Sequence, residues 1–95
     1  MYGMIAKITA NASKRTELAE ILSAGTRGMP GCLRYVVSED SQNENILWIT
    51  EVWDSEASHH ASLTLPTVQK TIATTKPLIA GFEKIAVTKP LGGVD

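Results

Sequence analysis

The chain has 95 residues, 9 basic against 10 acidic side chains, a formal net charge of -1 and 43% hydrophobic residues. That length supports one core and one domain over residues 1–95, with its body at about 2–89 and a C-terminal arm at 90–95. The charges are scattered, which argues against a nucleic-acid partner, because such a surface needs clustered cations to displace counterions.

The opening residues 1–7 lack a basic stretch followed by an apolar one, and no apolar run approaches the ~20 residues of a membrane span. A cytoplasmic protein without membrane contact is expected. Cys32 is the single cysteine, so no intrachain disulfide can form, and a structural thiol in a reducing compartment is the simpler reading.

In chain order, Met4, Ala6, Ile8 and Ala10 alternate with Ile5, Lys7 and Thr9, the period of a strand with one buried face. Asn11 and Ser13 offer caps for a helix over residues 13–27, on which Leu18, Ile21, Leu22 and Gly25 share a side. The run from Arg27 to Gly31 stops that helix through glycine and Pro30.

A second strand sets Leu33, Tyr35 and Val37 against Cys32, Arg34 and Val36, and the polar run from Glu39 to Asn45 returns it as a hairpin. The third strand, residues 46–53, has faces Ile46, Trp48, Thr50, Val52 and Leu47, Ile49, Glu51, Trp53; both are largely apolar, so cover on both sides is expected.

Asp54 or Ser55 caps the next helix, Pro66 interrupts it, and a second piece begins at Thr67 with Val68, Ile72, Thr75 and Ile79 at helical spacing. Pro77 ends or kinks that piece, and Gly81 releases the chain into a last strand over residues 82–88. The order β-α-β-β-α-β predicts an α+β ferredoxin-like sandwich with an antiparallel sheet and helices on one face. The other face then needs cover, so a homodimer through sheet faces is expected.

The chemically capable side chains gather between Glu51 and Pro66. Glu51 and Trp53 point the same way with Ile49 beside them; the carboxylate is either paired at the sheet edge or set in a pocket, and the indole is either core or pocket wall. His59 and His60, the only histidines, precede the apolar anchor Leu63 by four and three residues, so either could turn partly inward or stay at the surface. Histidine can exchange a proton near neutrality. Adjacent helical histidines diverge by about 100° and no third ligand follows at helical spacing, so no metal is expected.

Arg34 and Tyr35 lie on opposite strand faces, so at most one enters a given pocket, where it could position a phenolate or carbonyl oxygen. The Arg27–Gly31 run ends a helix and lacks a Lys-Ser/Thr pair, which excludes a phosphate cradle, and no dinucleotide fingerprint follows any strand.

The segments Met29-Pro-Gly-Cys-Leu-Arg-Tyr35, Glu51-x-Trp53, Asp54-Ser55, Ser58-His-His-Ala-Ser-Leu-x-Leu-Pro66 and Pro77-Leu-Ile-Ala-Gly-Phe82 resemble the antibiotic biosynthesis monooxygenase family, more narrowly its small quinol monooxygenase type. The resemblance runs from Tyr2 to about Lys89. It implies a dimeric α+β barrel with one pocket per subunit between sheet and helices. It also implies oxidation of a quinol or polyphenol by dioxygen without metal, flavin or haem.

Under that resemblance Trp53 matches the pocket tryptophan and His59 the helix position that bears an acid/base group. The expected catalytic set is His59 as base, Trp53 as stacking wall and Glu51 as orienting partner, with His60, Leu63, Ile49 and Arg34 contacting substrate. Haem-degrading relatives are disfavoured, because Lys7 and Thr9 stand where their asparagine would, and residues 67–81 contain no histidine. A non-catalytic binding or stress-response module for an aromatic metabolite, and an isomerase of a small signal molecule, stay open as alternatives.

Overall fold

A computed structural model of the chain describes residues 1–93. Strands β1 (Tyr2–Ala10), β2 (Cys32–Glu39), β3 (Ile46–Trp53) and β4 (Ile79–Thr88) form one sheet in the order β2-β3-β1-β4. Every neighbouring pair is antiparallel. Helix α1 (Arg15–Gly25) joins β1 to β2, while α2 (Glu56–Ser62), α3 (Pro66–Thr75) and a single 3-10 turn at Lys76–Leu78 join β3 to β4. This is the ferredoxin-like α+β sandwich that the sequence predicts.

The strand parity of β1 decides which face is the core. Met4, Ala6, Ile8 and Ala10 are buried, and the last three cluster with Leu18 and Leu22 of α1 and with Leu47 and Ile49 of β3. A second cluster, Met29, Trp53 and Val68, closes the other end with Tyr2, Cys32 and Tyr35 packed against it. Because side chains alternate along a strand, Ile5, Trp48 and Val52 turn to the opposite face, where they are half-buried. The tail's Pro90 lies beside Gly3 on β1.

Local chemistry sets the element ends, in places against expectation. Helix α1 starts at Arg15 after Lys14, which has no side-chain cap. Ser13 takes a left-handed φ of 67°, and Asn11 donates its side-chain amide to Pro77 O at 2.9 Å, tying the end of β1 to the 3-10 turn instead of capping a helix. Helix α1 also ends at Gly25, two residues short of the expected bound.

Ser55 caps α2 as expected, its Oγ accepting from Ser58 N at 3.1 Å. Pro66 begins α3 from the first helical position, where its missing N–H costs nothing, so the second piece opens one residue before Thr67. Gly81 lies inside β4 opposite Thr9 rather than before it. Of the expected arm, residues 94 and 95 lie outside the described residues.

The alternation along β2 is broken by a bulge. Cys32 pairs with Trp53 and Arg34 with Val52, so Leu33 has no partner on β3 and is exposed. Cys32 therefore joins Tyr35 on the helix side of the sheet, against the parity read from the sequence. Asp40 closes the β2–β3 hairpin: its carboxylate accepts from Gln42 N, Asn43 N and Trp48 Nε1, and these bonds hold its carboxyl at about 2.

Candidate functional site: a cavity between sheet and helices

A cavity of about 550 Å³ lies between the helix face of the sheet and helices α1 and α3. Met4, Ala6 and Ile8 of β1 and Ile49, Glu51 and Trp53 of β3 line it from the sheet side. Val68, Thr71, Ile72 and Thr75 line it from α3, at spacings of three and four that present one helix face. Leu63, Ile72 and Phe82 line the cavity yet are 45%, 50% and 57% exposed, so they form its rim.

Glu51 sits in the middle of the sheet, with Met4 opposite it on β1 and Tyr35 opposite it on β2. The residue is 6% exposed, and Trp53 Nε1 donates to its Oε1 at 2.9 Å. Burial pushes the Glu51 carboxyl above its usual range, since a charge loses more by desolvation than a neutral acid; the indole bond opposes this shift without cancelling it.

Helix α2 brings His59 over this pair, with Nε2 at 3.9 Å from Glu51 Oε1. That is beyond hydrogen-bond length, and it is an ion pair only when the imidazole is charged. Trp53 presents its ring edgewise to His59 at 5.5 Å between centroids, and Tyr2 lies tilted against the same imidazole at 5.3 Å. His59 Nδ1 is buried with no hydrogen-bond partner.

Burial lowers the His59 pKa, and the charges of His60 and Lys84 push it the same way, with Glu56 opposing. The site therefore favours a neutral imidazole facing a carboxyl of raised pKa. Two such groups side by side can take a proton from a ligand and return it.

Of the seven side chains expected at a site, the structure brings five to this cavity: Glu51, Trp53, His59, Ile49 and Leu63. His60 is not among its lining residues; it points outward, 67% exposed, and pairs with Glu56 at 3.5 Å one turn earlier. Arg34 is exposed and borders a separate hollow of about 330 Å³ with Arg27 and Cys32. Its register partner Val52 belongs to the opposite sheet face, which separates it from Glu51.

Several wall residues were not singled out from the sequence. Tyr35 was weighed only as an alternative to Arg34, although its pairing with Glu51 puts it in the cavity. Burial and the Glu51 carboxylate raise its phenol pKa well above the ordinary value, so it stays a hydrogen-bond donor at neutral pH. Ser62 and Thr71 gave no signal beyond their element periods. Burial also raises the Cys32 thiol, in keeping with a structural cysteine. Among the described residues no three His, Cys, Asp or Glu side chains are grouped to hold a metal ion, and no helix is long and apolar enough to cross a membrane.

Four antiparallel strands backed by helices around a half-open apolar cavity define a ferredoxin-like α+β domain with a candidate ligand site. The family model for antibiotic biosynthesis monooxygenase matches residues 1–74, and the chain belongs to that family. A crystal structure of a candidate antibiotic biosynthesis monooxygenase from Chloroflexus aurantiacus J-10-fl is 50% identical, covering 97% of this chain and 94% of that one at a TM-score of 0.93.

A candidate of the same name from Deinococcus radiodurans is 27% identical over 100% of this chain and 97% of that one, with a TM-score of 0.78. A Pseudomonas aeruginosa structure, 20% identical over 96% of this chain and 94% of that one, shares the fold at a TM-score of 0.82. No protein of curated function matches the chain.

Proposed function

We propose that the protein is a cofactor-independent monooxygenase that oxidises a quinol or other electron-rich phenol with dioxygen. The observation that carries this reading is the half-buried His59 beside Glu51 and Trp53, at the wall of an otherwise apolar cavity. Family membership supports the reaction class, and the narrower resemblance to quinol monooxygenases supports the substrate.

The chemistry follows from what a phenol needs in order to meet dioxygen. A neutral phenol passes an electron to oxygen poorly, whereas its anion does so readily, so the first task is removal of the hydroxyl proton. His59, kept neutral by burial, accepts it; the Trp53 and Tyr2 rings hold the imidazole in place, and Glu51 orients the substrate oxygen. The phenolate then gives one electron to dioxygen, and the phenoxyl radical and superoxide join at a ring carbon. Protonation of the outer peroxide oxygen and loss of that carbon's hydrogen break the O–O bond. A quinone carbonyl remains, and the second oxygen leaves as water.

Ile49 and Leu63 act as apolar walls for the ring, and excluding water protects the anion and the radical pair. Arg34 and His60 have no part in this scheme. Two copies are proposed to pair through their open sheet faces, a reading supported by Ile5, Val36, Trp48 and Val52 on the side away from the helices. A cytoplasmic setting is part of the same proposal.

The test is oxygen uptake by chelator-treated protein with a panel of quinols and naphthols. One dioxygen consumed per quinone formed, with no hydrogen peroxide released, supports the proposal. Uptake no faster than the protein-free blank across the panel refutes it, and stoichiometric ligand binding without uptake would make the cavity a binding module.

A further inference from the structure

The serine and threonine hydroxyls that line the cavity have spent their protons. Thr26 Oγ1 donates to Leu22 O at 2.7 Å, Ser62 Oγ to His59 O at 2.6 Å and Thr75 Oγ1 to Ile72 O at 3.2 Å. All three residues line the cavity, and Ser62 and Thr75 are 4% and 3% exposed. The indole donor is spent as well, on Glu51. A hydroxyl whose proton is committed to a helix carbonyl still has lone pairs to offer, so each of these groups meets a ligand as an acceptor. Thr71 Oγ1 likewise donates to Thr67 O at 2.8 Å, but it is turned against Gly25 of α1.

The remaining polar groups do not reverse that bias. A neutral imidazole brings one donor and one acceptor in either tautomer, and a carboxyl brings at most one donor beside its acceptor oxygens. Tyr35 adds one hydroxyl that can serve either way, and Lys76 is exposed. A ligand that carries its own O–H groups is matched by such a wall. A ligand that offers only carbonyl oxygens faces lone pairs with lone pairs, and a serine or threonine that turned its proton toward it would give up a bond for the one it made.

We infer that the cavity discriminates by redox state, holding the hydroxylated form of an aromatic couple more tightly than its carbonyl form through acceptor groups on Ser62, Thr26 and Thr75. The inference rests on the reading of the cavity as an aromatic site but not on turnover. Its consequence is directional: oxidation of a bound quinol strips the donors that hold it, so the quinone is released.

The test is calorimetric binding under nitrogen with tetramethyl-1,4-hydroquinone, the corresponding quinone and the dimethyl ether of the hydroquinone, followed by the matched 1,4-naphthalene set. Full ring substitution in the first set prevents addition of the Cys32 thiol. The hydroquinone should bind at least about fivefold more tightly than either partner, the factor expected when a buried acceptor loses its donor.

Ser62→Ala and Thr75→Val, each checked for native melting, should narrow that ratio by weakening the hydroquinone alone. A quinone that binds as tightly as the hydroquinone, or a ratio untouched in both folded variants, overturns the inference and leaves the aromatic site standing. Absence of binding by every member of both sets overturns the aromatic site and the inference together.

Discussion

Trp53 and Glu51 are two residues apart on β3, and the indole Nε1 of one donates to the carboxyl Oε1 of the other at 2.9 Å inside the sheet–helix layer. The bond exists because strand alternation sends both side chains to the same face, and because each would otherwise be a buried polar group without a partner. It fixes the same carboxyl oxygen that lies 3.9 Å from His59 Nε2.

Replacing the donor tests that arrangement. In Trp53→Phe the ring volume is largely kept, but the Glu51 carboxyl loses the one bond that lowers its pKa. Carboxyl ¹³C titration of the variant should show the Glu51 pKa rising further from its already raised position. The unmade bond should cost about 1–3 kcal/mol in urea unfolding. A Glu51 pKa that falls in the variant would contradict the arrangement.

The two titratable groups of the cavity, Glu51 and His59, should shape the pH dependence of stability in opposite senses. His59 is lowered from 6.5, so between its folded value and 6.5 the unfolded chain binds more protons, and stability rises with pH through that window. Glu51 is raised from 4.5, so the folded chain keeps its proton longer, and stability declines as pH climbs from 4.5 through the folded value. Unfolding midpoints between about pH 4 and 8 should therefore rise less steeply with pH in His59→Asn and more steeply in Glu51→Gln than in the parent. Identical slopes in all three proteins would show that neither group is perturbed.

Gly31 anchors the start of β2 beneath the start of α2. Its φ of +81° lies in the left-handed region, its carbonyl accepts from Asp54 N at 2.9 Å, and an added Cβ would sit 2.6 Å from Ser58 Cβ. Gly31→Ala should lose about 1–3 kcal/mol by thermal or urea unfolding, from backbone strain and displacement of α2. Gly28 has a similar φ of +69° but open space around it, so Gly28→Ala should show the strain cost alone. Equal losses at the two positions would mean that the contact with α2 contributes nothing.

Much of this architecture is legible in the sequence. The two-residue period of β1 and β3 identifies the buried faces, and it is the parity of β3 that brings Ile49, Glu51 and Trp53 to one wall. Pro66 and Pro77 mark where the second helical segment breaks, because a residue without an N–H and with a fixed φ has few places in a helix.

The bulge at Leu33 is not legible, since an extra residue on an edge strand leaves the alternating pattern intact while reversing its sense. That is why Cys32 and Tyr35, read from opposite faces, both pack against the site, and why the choice between Arg34 and Tyr35 falls to Tyr35. The two histidines are a similar case. Periodicity allows either to turn inward, and the choice is made by the angle at which α2 crosses β3, a tertiary quantity that places His59 against Trp53 and leaves His60 to Glu56.

In the proposed reaction His59, and not its neighbour, moves the substrate proton. Steady-state oxygen uptake with the best quinol of the panel, measured for His59→Ala and His60→Ala beside the parent protein, tests it most directly. His59→Ala should lower kcat/KM at least tenfold, within the ~10²–10⁴ usual for a positioned base, while the exposed His60→Ala stays within about twofold. A folded His59→Ala protein with parental kcat/KM, or a larger loss in His60→Ala, would contradict it.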